Sequence, residues 1–127
     1  MVLKFWEYEL IVQKYINDYI EKLNLKIINC DSDSFELINA EINISISDRL
    51  GDFEINIQNN KGNISVSDLV FEKYPNYFQL IKENPQFRIL KKKADDFANY
   101  SEYFGYLLKT SFDFVNENSP DVFKGKF

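Results

Sequence analysis

The sequence predicts an α+β domain: an N-terminal helix, a four-stranded antiparallel meander, and C-terminal helices packed on one face of the sheet. Three observations carry this. Apolar and polar residues alternate with period two over three successive runs, Glu41 to Ser47, Phe53 to Gln58 and Asn63 to Ser67, the pattern of strands with one buried face. A helical stripe precedes them, with Phe5, Tyr8, Val12, Ile16, Tyr19 and Leu23 at spacings of three and four. A second, aromatic-rich stripe follows, through Phe87, Leu90, Ala94, Phe97, Ser101, Phe104, Leu108 and Val115. Helices at both ends of a meander bury their stripes most economically on the apolar side of the sheet. At 127 residues the chain reads as a single domain, 1–127.

Taken in order, residues 3 to about 23 form one amphipathic helix, supported by the Asp18 and Lys22 pair and stopped by Asn24. Leu25, Ile27 and Cys30 start a short strand, and the cluster Asp31 to Ser34 turns the chain. Phe35 and Leu37 enter the next strand in one register, and Ile42, Ile44 and Ile46 continue in the other. A bulge or break near Ile38 to Ala40 reconciles them, because one extra residue exchanges the faces. Gly51 and Gly62 occupy the two following connections, where a positive φ is easy. Ser67 caps a helix that begins at Asp68 and meets Pro75 within two turns; Asn76 to Lys82 adds another turn. The last helix runs from about Phe87 to Asn116 and closes at Asn118-Ser119-Pro120. The tail Asp121 to Phe127 either docks through Phe123 and Phe127 or frays.

Composition narrows the function. The net charge of −5 argues against a nucleic-acid backbone, which needs a basic face, and favours a basic protein as partner. The chain has no histidine and one cysteine, Cys30. That removes histidine-based triads and metal sites, an internal disulfide and a cysteine cluster for zinc, so no metal, cofactor or catalytic residue is expected. Acids interrupt the first residues, unlike a signal peptide, and no apolar run is long enough to span a membrane, so the cytoplasm is the expected location.

The most distinctive loop is Asp48-Arg49-Leu50-Gly51-Asp52. It is either a turn in which Arg49 bridges two carboxylates or a recognition loop around one of only two arginines. The carboxylate sets Asp31 with Asp33, Asp48 with Asp52 and Asp95 with Asp96 sit in polar turns or beside lysines, where acid–base catalysis is not expected. The outward faces of the alternating runs carry Glu41, Asn43, Ser45, Ser47, Glu54, Asn56, Gln58, Asn63 and Ser65. They form either the wet side of the sheet or a slightly acidic plate for a protein. Tyr100, Tyr103 and Tyr106 surround the stripe of the last helix, and one left exposed would anchor an interface. The partner-binding candidates are therefore Asp48, Arg49, Asp52, Glu54, Tyr100 and Tyr103, with Asp48 and Asp52 expected to be exposed charges.

One segment is familiar as a unit. A strand ends in Ser47-Asp48-Arg49-Leu50-Gly51-Asp52-Phe53-Glu54, the next turns at Gly62, and the third runs into Ser67-Asp68-Leu69. Residues 42–71 in this respect resemble the small bacterial immunity proteins of polymorphic toxin and contact-dependent inhibition systems. The resemblance implies an acidic cytoplasmic α+β domain that acts, without catalysis, by binding one cognate toxin domain. It carries over no individual binding residue, and the long aromatic C-terminal helix has no counterpart in it. The competing expectation is a small-ligand carrier or enzyme that uses the aromatic interior as a pocket.

Overall fold

The computed structural model describes residues 3–49, 52–76 and 94–127. The elements are α1 (Phe5–Tyr15), α2 (Asn17–Leu23), β1 (Lys26–Asp31), β2 (Ser34–Ile38), β3 (Asn43–Arg49), β4 (Asp52–Asn59), β5 (Gly62–Ser65) and α3 (Val66–Lys73). After the 3-10 turn Ala94–Asp96 comes α4 (Tyr100–Asn118), and the 3-10 turn Pro120–Lys124 closes the chain.

The fold is α+β, with an N-terminal helix, an antiparallel sheet and a C-terminal helix, but the described strands number five rather than four, in the order β1-β2-β3-β4-β5. The fifth strand arises where the residue parity changes. No bulge lets one strand run on; instead the Asn39 side chain closes a tight turn between β2 and β3. Its Oδ1 accepts from the backbone N–H of Glu41 at 2.7 Å and of Ile42 at 2.9 Å, and its Nδ2 donates to the Leu23 carbonyl at 2.8 Å. A hairpin that pairs Leu37 with Ile44 and Phe35 with Ile46 places odd residues of β2 and even residues of β3 on one face.

That register makes each face of the sheet a set of straight rows. On the inner face Ile27, Leu37, Ile44, Ile57 and Ile64 pair in turn across all five strands. Beside them lie Phe35, Ile46 and Ile55. Leu37, Ile44, Ile57, Phe35, Ile46 and Ile55 are all buried, at 2% exposure or less. The helices pack here. Tyr8 of α1 and Phe104 of α4 stack on Phe35 with ring centroids 4.9 and 6.4 Å away, Phe104 meets Phe53 at 5.4 Å, and Leu69 of α3 joins the same core. A Cβ at Gly105 would overlap the Tyr15 ring, so a glycine lets α4 and α1 approach this closely.

Several local boundaries differ from the sequence reading. The first helix breaks at Ile16, whose φ of −129° leaves helical geometry while its side chain stays buried; Asn24, with φ 53°, stops α2 in the left-handed conformation. The cap of α3 is Ser65, not Ser67. Ser65 Oγ accepts from the Asp68 N–H at 3.0 Å and Asp68 Oδ2 accepts from the Ser65 N–H at 3.3 Å, a reciprocal capping box that the strand pattern concealed. Gly62 needs no positive φ, because Asn59 Oδ1 accepts from the Lys61 and Gly62 N–H groups and closes that turn; Gly51 lies outside the described residues. The last helix starts at Tyr100, with Asn99 Oδ1 accepting from the Glu102 N–H at 3.0 Å. The expected turns through Lys82 and the stretch from Phe87 to Lys93 fall largely outside the described residues. The tail docks through Val122 and Phe123, both buried, while Phe127 stays half exposed. Tyr19 holds α2 to α4 by donating to Asp113 Oδ1 at 2.6 Å. Among the described residues no helix is long and apolar enough to cross a membrane.

Candidate partner surface and a buried carboxylate

Among the described residues the helices α1, α3 and α4 pack on the inner face, and none covers the other face of the sheet. A row of Ile28, Glu36, Ser45, Asn56 and Ser65 crosses all five strands, and a second of Lys26, Ile38, Asn43, Gln58 and Asn63 runs beside it. A third row holds Ser34, Ser47 and Glu54. Glu54 and Ile28 are exposed, and Glu36, Asn43, Ser45, Ser47, Asn56 and Gln58 are partly exposed. Glu36 and Glu54 are one row and two strands apart, with Ser45 and Ser47 between them. At a strand spacing of about 4.8 Å that puts two carboxylates on the order of 10 Å apart over small polar side chains. The face carries these two acids, with Lys26 at its β1 corner. At the β1 edge the Cys30 thiol donates to Glu36 Oε1 at 2.8 Å; burial and that carboxylate raise its pKa to about 11, so it is a thiol and not a nucleophile at neutral pH.

The residues singled out from the sequence divide between three places. Glu54 lies on the open face. Arg49 and Asp52 pair across the mouth of the β3–β4 hairpin, and their side chains lie outside the described residues. Asp48 is not an exposed charge: its residue is 4% exposed, on the inner face opposite Phe53. The reason is parity. Ile42, Ile44, Ile46 and Asp48 are four consecutive inward positions of one run, so the alternation that predicts the strand also points Asp48 inward. Continuing the period by one residue past Ile46 reveals this; treating Asp48 to Asp52 as a loop hid it.

Inside, Asp48 Oδ1 accepts a hydrogen bond from the Tyr100 hydroxyl of α4, and its backbone N–H donates to the Asp33 carbonyl at 2.8 Å. The Tyr8 hydroxyl faces the same carboxylate from α1; among the described residues neither it nor Asp48 Oδ2 meets a partner at full hydrogen-bonding geometry. Burial pushes the Asp48 carboxyl above the usual range. The donated bond from Tyr100 and the Tyr8 hydroxyl work against that rise, and the Asp33 carboxylate adds to it. Burial, together with Asp48, raises Tyr8 to about 12; burial and the bond to Asp48 raise Tyr100 as well, so both stay protonated donors. One buried carboxylate held by a phenol that keeps its proton ties the end of β3 to α4.

Tyr100, Tyr103 and Tyr106 are all partly buried, so none stands fully exposed. The Tyr103 ring lies 6.2 Å from Tyr100 and 5.6 Å from Phe97, forming a shoulder at the start of α4 that does not adjoin Glu54 on the opposite side of the sheet. Among the described residues no three His, Cys, Asp or Glu side chains converge as metal ligands. Two further surface features lay outside the sequence reading. A cleft of about 530 Å³ at the β2–β3 turn is lined by Ile38 to Asn43 and Gln58 to Asn60, with Glu41 as its one titratable group. A smaller groove of about 250 Å³ runs between α1 and the start of α4, bordered by the exposed Trp6 and Leu10. Comparison of the chain with family models, with curated proteins and with solved structures gives no match.

Proposed function

We propose that this chain is a non-enzymatic protein-binding module of the immunity type, which meets a basic protein partner with the open face of its sheet. The observation that carries this reading is the face itself: five strands wide, free of any described helix, and furnished with Glu36 and Glu54 over Ser45, Ser47 and Asn56. Acidic side chains on a flat surface steer a basic partner and discriminate against like-charged ones. The net charge of −5 has the same sign. The resemblance of residues 42–71 to immunity proteins supplies the partner class, a toxin domain.

The competing reading, an aromatic pocket for a small ligand, finds less support. The rings that would line it fill the interior against one another: Tyr8 on Phe35 and Phe104, and Phe53 and Tyr100 on Phe104. The polar cleft at the β2–β3 turn offers a lone carboxylate, Glu41, which gives no acid–base pair.

The experiment is direct. The protein encoded next to this chain's gene is purified and titrated with it by calorimetry, and the two are co-expressed. The reading predicts a stoichiometric complex that weakens as salt rises, and rescue of growth if that protein is toxic. No complex and no rescue, or catalytic turnover by the isolated chain, would count against it.

A further inference from the structure

The open sheet face leaves one surface feature unexplained, on the opposite side of the molecule. Trp6 and Leu10, one turn apart on α1, are 57% and 56% exposed although they are large and apolar. They belong to no part of the buried stripe of α1, which is Tyr8, Ile11 and Val12. Both border the groove between α1 and α4, whose other lining includes Glu7, Lys14, Tyr15 and Glu102. At about 250 Å³ the groove falls below the roughly 300–1,000 Å³ of small-molecule sites. It is large enough for side chains delivered by a protein surface, and exposed tryptophan is the residue type that most often anchors one.

The charges on the same flank indicate which protein. Residues three, four and seven apart share a helix face, so Glu7, Leu10 and Lys14 lie together, with Trp6 beside Leu10. Glu7 stands three residues before Leu10 and Lys14 four after it. A two-fold axis passing between Leu10 and Ile11 therefore lays a second α1 antiparallel to the first with Glu7 of each copy opposite Lys14 of the other. Leu10 meets its own counterpart, and Trp6 comes within reach of the second copy's Lys14, a cation over an indole. A face that carries both signs in this order complements itself, as an isologous contact requires. A uniformly basic partner would instead meet Lys14. We propose that the α1 flank and its groove form an interface with a second copy of this chain, independent of the partner proposed for the open sheet face. The contact is small, so a concentration-dependent equilibrium and not an obligate dimer is expected.

Sedimentation velocity of the whole chain from micromolar to millimolar concentration tests this. The weight-average mass is expected to climb from the monomer's 15.1 kDa towards twice that value. Leu10→Glu and Trp6→Ser, both at exposed positions and checked by circular dichroism, should hold it at the monomer value. Lys14→Glu should weaken association by about tenfold or more. Trp6 is the chain's one tryptophan, so its emission should also shift to shorter wavelength as the wild type is concentrated. A wild type that stays monomeric throughout, with Trp6 emission unchanged, would overturn the proposal and leave the groove to a foreign segment. So would a dimer that Leu10→Glu and Trp6→Ser leave intact.

Discussion

The two faces of the sheet are made by alternate residues of the same strands, one step out of phase, and they have opposite characters. Inward, β3 presents Ile44, Ile46 and then Asp48, all buried; outward, it presents Asn43, Ser45 and Ser47, all partly exposed. The aliphatic row from Ile27 to Ile64 underpins the helices, and over the row of Glu36, Ser45 and Asn56 no described helix packs. The difference teaches that the inner face holds the fold, while the outer face carries polar side chains that pack under no described helix. It also exposes a residue that crosses the division, Asp48, an acid placed among rings.

The largest effect expected of this arrangement is at the centre of the inner face. Phe104 is fully buried and its ring lies 5.3 Å from Tyr8, 5.4 Å from Phe53 and 6.2 Å from Tyr100. Phe104→Ala should cost about 3–5 kcal/mol of unfolding free energy in denaturant titration. A loss of well under 1 kcal/mol would mean that the aromatic cluster does not join helices to sheet.

Asp48 tests the exception. Asp48→Ala leaves the Tyr100 hydroxyl buried without its acceptor and should cost about 1–3 kcal/mol. Asp48→Asn keeps an acceptor for Tyr100 and turns an amide N–H towards the Tyr8 hydroxyl, so it should cost about 1 kcal/mol or less. The two variants part further with pH. Because burial raises the folded-state pKa above the unfolded 3.8, Asp48 contributes stability that is fully present below that value and is lost as pH rises through the folded pKa. Stability measured from pH 3.8 upward should therefore carry a declining component in the wild type that Asp48→Asn removes. An unchanged pH profile in Asp48→Asn would show that the carboxylate is solvated after all.

Much of this was legible before any coordinates. Period two located β3, β4 and β5 and gave the outward parity, although Ser65 in that set is buried; the stripe from Phe5 to Leu23 found helix but read as one what Ile16 divides into two. What escaped was decided by single side-chain bonds. Asn39 turns a register change into a hairpin, Ser65 ends a strand by capping a helix, and Asn59 closes a turn that looked like a task for Gly62. The candidate site was legible only in part. Glu54 lay where the alternation put it, whereas Asp48 reads as a surface charge unless the period is carried one residue further. Trp6 and Leu10 sit off the helical stripe, which is a signal in the sequence, but their exposure needed the groove beside α4.

The smallest effects belong to the outer face. Ser45→Ala and Asn56→Ala remove side chains that support no neighbouring layer and should leave stability within about 0.5 kcal/mol of wild type by thermal and chemical unfolding. A loss above 1 kcal/mol at either would mean that the open face carries part of the fold.

The division between the faces is tested most directly by the double variant Glu36→Lys/Glu54→Lys, titrated with the partner identified from the adjacent gene and unfolded in parallel. The account predicts stability within about 0.5 kcal/mol of wild type, as expected for exposed positions, together with an affinity reduced by about tenfold or more. Unchanged affinity with an intact fold would contradict it and place the recognition surface elsewhere on the molecule.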